Sequence, residues 1–138
     1  MAALSLEELK AVVLLNRLIT GGAPKVRTLL AEGVPPSEIL LRIQSENFLN
    51  KSEALRKLKS QFDPERELDL ADQKGIRLLT LLDVDYPALL KQIYDPPLLL
   101  YVRGSLLESD QASLAVVGSR HPSFYGRNQA KQFSRNLP

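Results

Sequence analysis

Ser113-Leu-Ala-Val-Val-Gly-Ser-Arg-His-Pro-Ser-Phe-Tyr-Gly126 is the stretch whose reading decides the fold. Ser113 to Val117 has the length and apolar character of a buried strand, and Gly118 ends it. A short polar loop follows, and a helix is predicted from Phe124 to Leu137. Strand, glycine loop and helix together set backbone N–H groups and a helix N-terminus around an anionic group. Gly118 is expected to let the chain turn tightly and approach a ligand closely. The hydroxyls of Ser119 and Ser123, with the N–H groups near Phe124 and Tyr125, are candidate donors to phosphate oxygens. Arg120 adds a planar fork of donors, and a charge-assisted contact of that kind contributes roughly 1.5–3 kcal/mol. Tyr125 admits two roles, stacking on a base or packing beneath the loop. The plainer alternative is an ordinary strand–helix turn with a surface arginine, and at this level both readings stay open.

The loop excludes some chemistries. It is not Gly-x-x-x-x-Gly-Lys-Ser/Thr, and Arg120 stands where Gly-x-Gly-x-x-Gly needs a glycine. Generic dinucleotide binding is therefore poorly supported.

Working back toward the N-terminus, Leu98 to Arg103 reads as a second strand, closed by Gly104 and preceded by the helix-breaking Pro96-Pro97. Asp85-Tyr86-Pro87 opens one or two helical turns through Leu89, Leu90 and Ile93. Ile76 to Thr80 is too short for a helix and reads as a strand. Ser105 to Gln111 connects the second and third strands. Strand, helix, strand, strand, helix is the beginning of an α/β sheet.

The first 72 residues read as an all-α module. Ser5-Leu-Glu-Glu8 has the form of a capping box, with Ser5 accepting from the backbone and Glu8 reaching back. Val12, Leu15 and Ile19 follow helical spacing behind it, and Gly21-Gly22 ends that helix. Pro24 starts the next helix and Gly33 closes it. Pro35-Pro36-Ser37 opens a third, with Ile39, Leu40 and Ile43 buried. Asn50-Lys-Ser-Glu53 reads as a second capping box, leading into Leu55, Leu58 and Phe62. Asp63-Pro64 begins a fifth helix that stops at Gly75. Gly21 to Lys25 has the position of a degenerate helix-hairpin-helix turn, though a plain helix connection explains it more simply. The fold class is thus α+β or α/β. An N-terminal all-α module (1–72) precedes the first strands and helix of an α/β domain (73–138).

Composition sets the class of molecule. Of the 138 residues, 44% are hydrophobic and 25% charged, as in a soluble globular protein. There is no cysteine, which excludes a disulfide framework and thiolate metal sites. The first residues lack the pattern of a signal peptide, and no apolar run reaches membrane-spanning length. A cytoplasmic protein with no membrane partner is expected. Residues 1–72 hold 10 Lys/Arg and 11 Asp/Glu, a net −1, and residues 73–138 hold 8 and 5, a net +3. From Gly118 onward Arg120, Arg127, Lys131 and Arg135 stand with no acidic residue among them. Such a cluster points to a phosphate-bearing partner, or to a basic helix face whose acidic neighbours lie elsewhere.

Two other sets of residues carry less. Asp83 and Asp85 form an Asp-x-Asp that reads as a turn with a helix N-cap at Asp85 rather than a catalytic pair. His121, the single histidine, has no second ligand at metal-binding spacing. No catalytic residue, metal or cofactor is expected.

Three separated segments carry a resemblance. Leu82-Leu-Asp-Val-Asp-Tyr-Pro-Ala-Leu-Leu90, Asp95-Pro-Pro-Leu-Leu-Leu-Tyr-Val-Arg-Gly104 and Ala115-Val-Val-Gly-Ser-Arg-x-x-Ser-x-Tyr-Gly126 resemble, in order and spacing, the DNA-processing protein A family (DprA, also called Smf). The resemblance covers about residues 73–138, and the helical module in front resembles that family's sterile-alpha-motif-like (SAM-like) domain. It implies a Rossmann-like core and a non-enzymatic, single-stranded DNA-binding protein. Such proteins protect incoming DNA and load the RecA recombinase on it during natural transformation. Gly118, Ser119 and Arg120 match the family's Gly-Ser-Arg signature, with Arg120 as the backbone-phosphate contact. Ser123, Tyr125 and Gly126 complete it. The resemblance further implies a homodimer in the full-length protein, of which this chain is expected to be the N-terminal portion, a fragment or an interrupted reading frame. An alternative resemblance is to Rossmann-like nucleotide-binding enzymes, such as nucleoside-monophosphate hydrolases of the lysine-decarboxylase-like family. A third reading makes the helical module a protein-docking domain.

Overall fold

Ala11-Val-Val-Leu-Leu15 is apolar at five consecutive positions, and a helix that is apolar all round must be buried on every side. In the structure, a computed structural model describing residues 4–19, 24–46, 48–107 and 114–135, this segment forms the centre of α1 (Leu6–Leu18). Val13 and Leu15 are wholly buried there. Around α1 stand α2 (Pro24–Ala31), α3 (Pro36–Ser45), α4 (Ser52–Gln61) and α5 (Pro64–Gln73). Val26, Ile39, Ile43 and Leu55 from these helices complete the core, and Leu98 and Leu99 join the same cluster.

Each helix starts where local chemistry allows. The Ser5 side chain accepts from the Glu8 N–H at 3.3 Å, and Asp63 accepts from the Glu65 N–H at 2.9 Å. Gly33, with φ +84°, supplies the left-handed residue that lets the chain leave α2. Two expectations are corrected. Glu8 does not reach back to its own helix: its carboxylate accepts from the Ser37 N–H at 2.9 Å and from the Ser37 hydroxyl, capping α3 instead. Asn50 is no cap either. It lies in a 3-10 turn, Phe48–Asn50, with φ +54°, and Lys51 precedes α4 without a side-chain cap bond. The Gly21-Gly22 turn falls outside the described residues.

The strands β1 (Ile76–Thr80) and β2 (Leu99–Arg103) pair antiparallel, from Ile76 opposite Arg103 to Thr80 opposite Leu99. Between them Tyr86 is buried and donates to the Pro97 carbonyl at 2.8 Å. The single turn α6 (Ala88–Lys91) begins after Pro87. Asp85 is therefore not its N-cap and instead pairs with Arg77 at 3.2 Å. Asp83 accepts from the N–H and hydroxyl of Thr80 at 2.6 and 2.8 Å, closing the end of β1. Both acids of the Asp-x-Asp are thus spent on structure. A charged cluster ties the strand pair to the helices: Glu67 accepts from Tyr101 at 2.9 Å and from Arg17 at 3.0 Å. The Arg17 guanidinium also lies 4.0 Å from the centroid of the Phe62 ring.

The chain divides into two compact units, residues 1–105 and residues 106–138. In the second, α7 (Phe124–Arg135) is the one helix among the described residues. The third strand expected over Ser113–Val117 is absent from its described part, for Leu114 to Val117 have no strand pairing. Ser113 lies outside the described residues. A strand exists only through hydrogen bonds to a neighbour, and among the described residues β1 and β2 pair with each other alone. Val117 is accordingly 88% exposed. The architecture is α+β: seven α-helices and one two-stranded antiparallel sheet among the described residues. A doubly wound sheet would run parallel, so its pattern is not the one these two strands display.

Candidate nucleic-acid interface

The residues singled out in the sequence fall on one short segment of the second unit, and all but the half-buried Gly126 are exposed. The Ser123 carbonyl accepts from the Arg127 N–H at 3.0 Å, and its hydroxyl oxygen accepts from the Gly126 N–H at 3.1 Å. Ser123 is therefore the N-cap of α7. The capping uses the Gly126 N–H, so that group is not open to a ligand. The Phe124 and Tyr125 N–H groups, by contrast, have no acceptor among the described residues. Unpaired first-turn N–H groups of this kind carry the positive end of the helix dipole.

Ser119 makes a local turn, its hydroxyl oxygen accepting from the His121 N–H at 3.2 Å. The hydroxyl protons of Ser119 and Ser123 remain available to a phosphate oxygen. Gly118 does not hold a left-handed conformation, and a side chain built on it would meet nothing within 4 Å. The tight-turn role expected for it is thus not what the backbone displays. What its missing side chain provides is open approach to the main chain. A Cβ at Gly126 would lie 3.4 Å from the Ser123 hydroxyl oxygen, an ordinary van der Waals contact, so the cap has room for a small side chain there.

Tyr125 is 72% exposed and Phe124 80% exposed. Neither ring is packed beneath the loop among the described residues. Arg120 is exposed at the bend and has no acidic partner among the described residues.

An open groove of about 770 Å³ runs beside the loop, lined by Val116 to Ser119 on one side and by α7 on the other. Its cations are Arg127, Lys131 and Arg135, and Arg120 is not among its lining residues. Sequence reasoning noted these three only as part of a charge cluster. The signal that places them together is their spacing of four, which puts them on one side of a helix. Among the described residues no group of three or more His, Asp or Glu side chains is arranged to hold a metal ion. No helix there is long and apolar enough to cross a membrane.

The model of the family described as DNA recombination-mediator protein A matches residues 77–138. The DNA processing protein DprA of Bacillus subtilis is 32% identical over 90 residues, covering 63% of this chain and 30% of its own length. The protein Smf of Borreliella burgdorferi is 44% identical over 52 residues, 38% of this chain and 17% of that protein. The protein Smf of Synechocystis is 31% identical over 83 residues, 57% and 21% respectively. The matches thus span less than a third of the length of these relatives. No solved structure gives a significant match. The family match contains the motifs around Tyr86-Pro87, Pro96-Pro97 and Gly118-Ser119-Arg120, so over residues 77–138 this chain is similar in motif and sequence to the DprA/Smf family.

Proposed function

We propose that this chain serves DNA processing by binding single-stranded DNA, with the Gly118–Gly126 segment as its contact. The observation that carries the reading is the acid-free loop and helix start. Among the described residues Arg120 has no acidic partner, two N–H groups and two hydroxyls are open, and an aromatic ring stands exposed beside them. Phosphate takes the charged and N–H donors, and an unpaired base takes the face of Tyr125. Backbone contacts read no sequence, so binding is expected to be sequence-tolerant.

The likeness to the DprA/Smf family extends the proposal. The proposed assignment is a SAM-like module over residues 1–72 followed by the opening of a Rossmann-like DNA-binding domain over residues 73–138, whose two strands pack with the helices in the first compact unit. The role is non-enzymatic: protection of incoming DNA and loading of RecA during natural transformation, with the full-length protein a homodimer. The test is fluorescence anisotropy of a labelled single strand across a salt series. Arg120→Ala should weaken binding to strands of any sequence and flatten the log–log salt slope by about 0.7, one phosphate contact. A folded Arg120→Ala variant with unchanged affinity and slope overturns the assignment of Arg120.

A further inference from the structure

The groove beside α7 carries charge that the loop reading does not use. Arg127, Lys131 and Arg135 recur every fourth residue, so each step climbs about 6 Å along the helix axis and turns only slightly around it. All three line the groove, together with Ala130 and Ser134 on the same helix. An acid four residues from a base supports a helix, and like charges at that spacing disfavour it. Here no acid stands anywhere from Leu114 to Arg135, and none of the three has an acidic partner among the described residues. Their mutual repulsion is uncompensated among the described residues, and a polyanion laid along the stripe would relieve it. The opposite wall, Val116 and Val117, is apolar and suits sugar faces.

We infer that the groove is a phosphate ladder: one DNA strand runs from the loop along α7, with successive phosphates on Arg127, Lys131 and Arg135. The helical step is close to the separation of neighbouring phosphates in an extended strand. A single mononucleotide would engage one rung and leave the others unmatched. The inference rests on the single-stranded DNA reading and adds to it a path and a length requirement.

The experiment uses the full chain and 5′-labelled oligothymidylates of increasing length, titrated by anisotropy at several salt concentrations. Replacing Arg127, Lys131 and Arg135 together by Gln, a good helix former, should flatten the log–log slope by about 2. Affinity should also stop rising with length beyond the shortest oligonucleotides. Circular dichroism at 222 nm checks that α7 is kept, and Lys131→Gln alone, expected to remove about 0.7 of slope, serves if the triple variant loses helix. If wild type binds and Arg120→Ala weakens it, but the Gln variants keep the wild-type slope and length dependence, the ladder is overturned and the loop reading survives. If the Gln variants flatten the slope while Arg120→Ala does not, the ladder stands and the arginine assignment falls. Absence of salt-dependent binding by wild type overturns both.

Discussion

Replacing Glu8 with Ala should destabilise the helical unit by about 2–3 kcal/mol, because one carboxylate caps a neighbouring helix that cannot cap itself. Pro35 stands at the N-cap of α3 with no side-chain acceptor to offer, and Pro36 has no N–H. Ser37 therefore carries the first donor of that helix, and Glu8 accepts both its N–H, at 2.9 Å, and its hydroxyl. Hydrogen bonds to a charged group contribute about 1.5–3 kcal/mol each, and because both groups here are only half-buried, solvent screening brings the pair to the bottom of the sum or just below it, about 2–3 kcal/mol. Glu8→Gln keeps one acceptor oxygen and should lose about half as much. Ser37→Ala removes the hydroxyl alone and should cost about 1 kcal/mol. The assay is equilibrium urea unfolding followed at 222 nm, with the midpoint read at constant slope. In the Ser37→Ala background the Glu8→Ala loss should shrink by about 1 kcal/mol, the mark of a shared interaction. A Glu8→Ala variant within about 0.5 kcal/mol of wild type, or strictly additive losses, would refute the argument that α1 and α3 are joined by this cap.

Burial first, and the hydrogen bond to Glu67 second, push the Tyr101 phenol up to about 12 from the usual 10.0. The folded state then holds a proton that the unfolded chain releases, so the stability Tyr101 contributes is whole below pH 10 and is lost as pH rises toward 12. Absorbance titration of the phenolates should show the late ionisation, and Tyr101→Phe should remove it and lessen the alkaline loss of stability. An unchanged titration in that variant would contradict the shift. Tyr125→Leu should leave folding intact, since the ring is exposed, yet weaken single-strand binding by about 1–3 kcal/mol, the range of base–aromatic stacking. Full affinity in Tyr125→Leu would remove the ring from the interface.

Most of the first unit was legible because its signals are local. Prolines at helix starts, Gly33 at a helix end and Asp63 before Pro64 act on the backbone within a few residues, and the structure has them in those roles. What escaped were choices between partners. Ser5-x-x-Glu8 has the form of a self-contained capping box, but Glu8 finds in Ser37 a helix start with no acceptor of its own. Asp85 similarly has a helix start three residues ahead and an arginine across the turn, and it takes Arg77. A capping motif records that a side chain can accept, and tertiary packing decides from whom.

The same distinction governs the interface. Gly118-Ser119-Arg120 stands out in the sequence because its residue types are unusual together, whereas Arg127, Lys131 and Arg135 are ordinary residues whose meaning lies in their phase along a helix. A strand at Ser113–Val117 would place its apolar residues against a sheet and leave no groove for that phase to line. Among the described residues Leu114–Val117 has no strand partner, and Val116 and Val117 instead form the wall of a groove whose other side is α7. Loop and stripe make different demands on a ligand. The loop offers an arginine fork and N–H groups at one point, enough for one phosphate of any nucleotide. The stripe spreads three charges over two helical turns, about 12 Å, which a mononucleotide cannot occupy and a strand can. The dependence of affinity on oligonucleotide length therefore separates a nucleotide pocket from a nucleic-acid track.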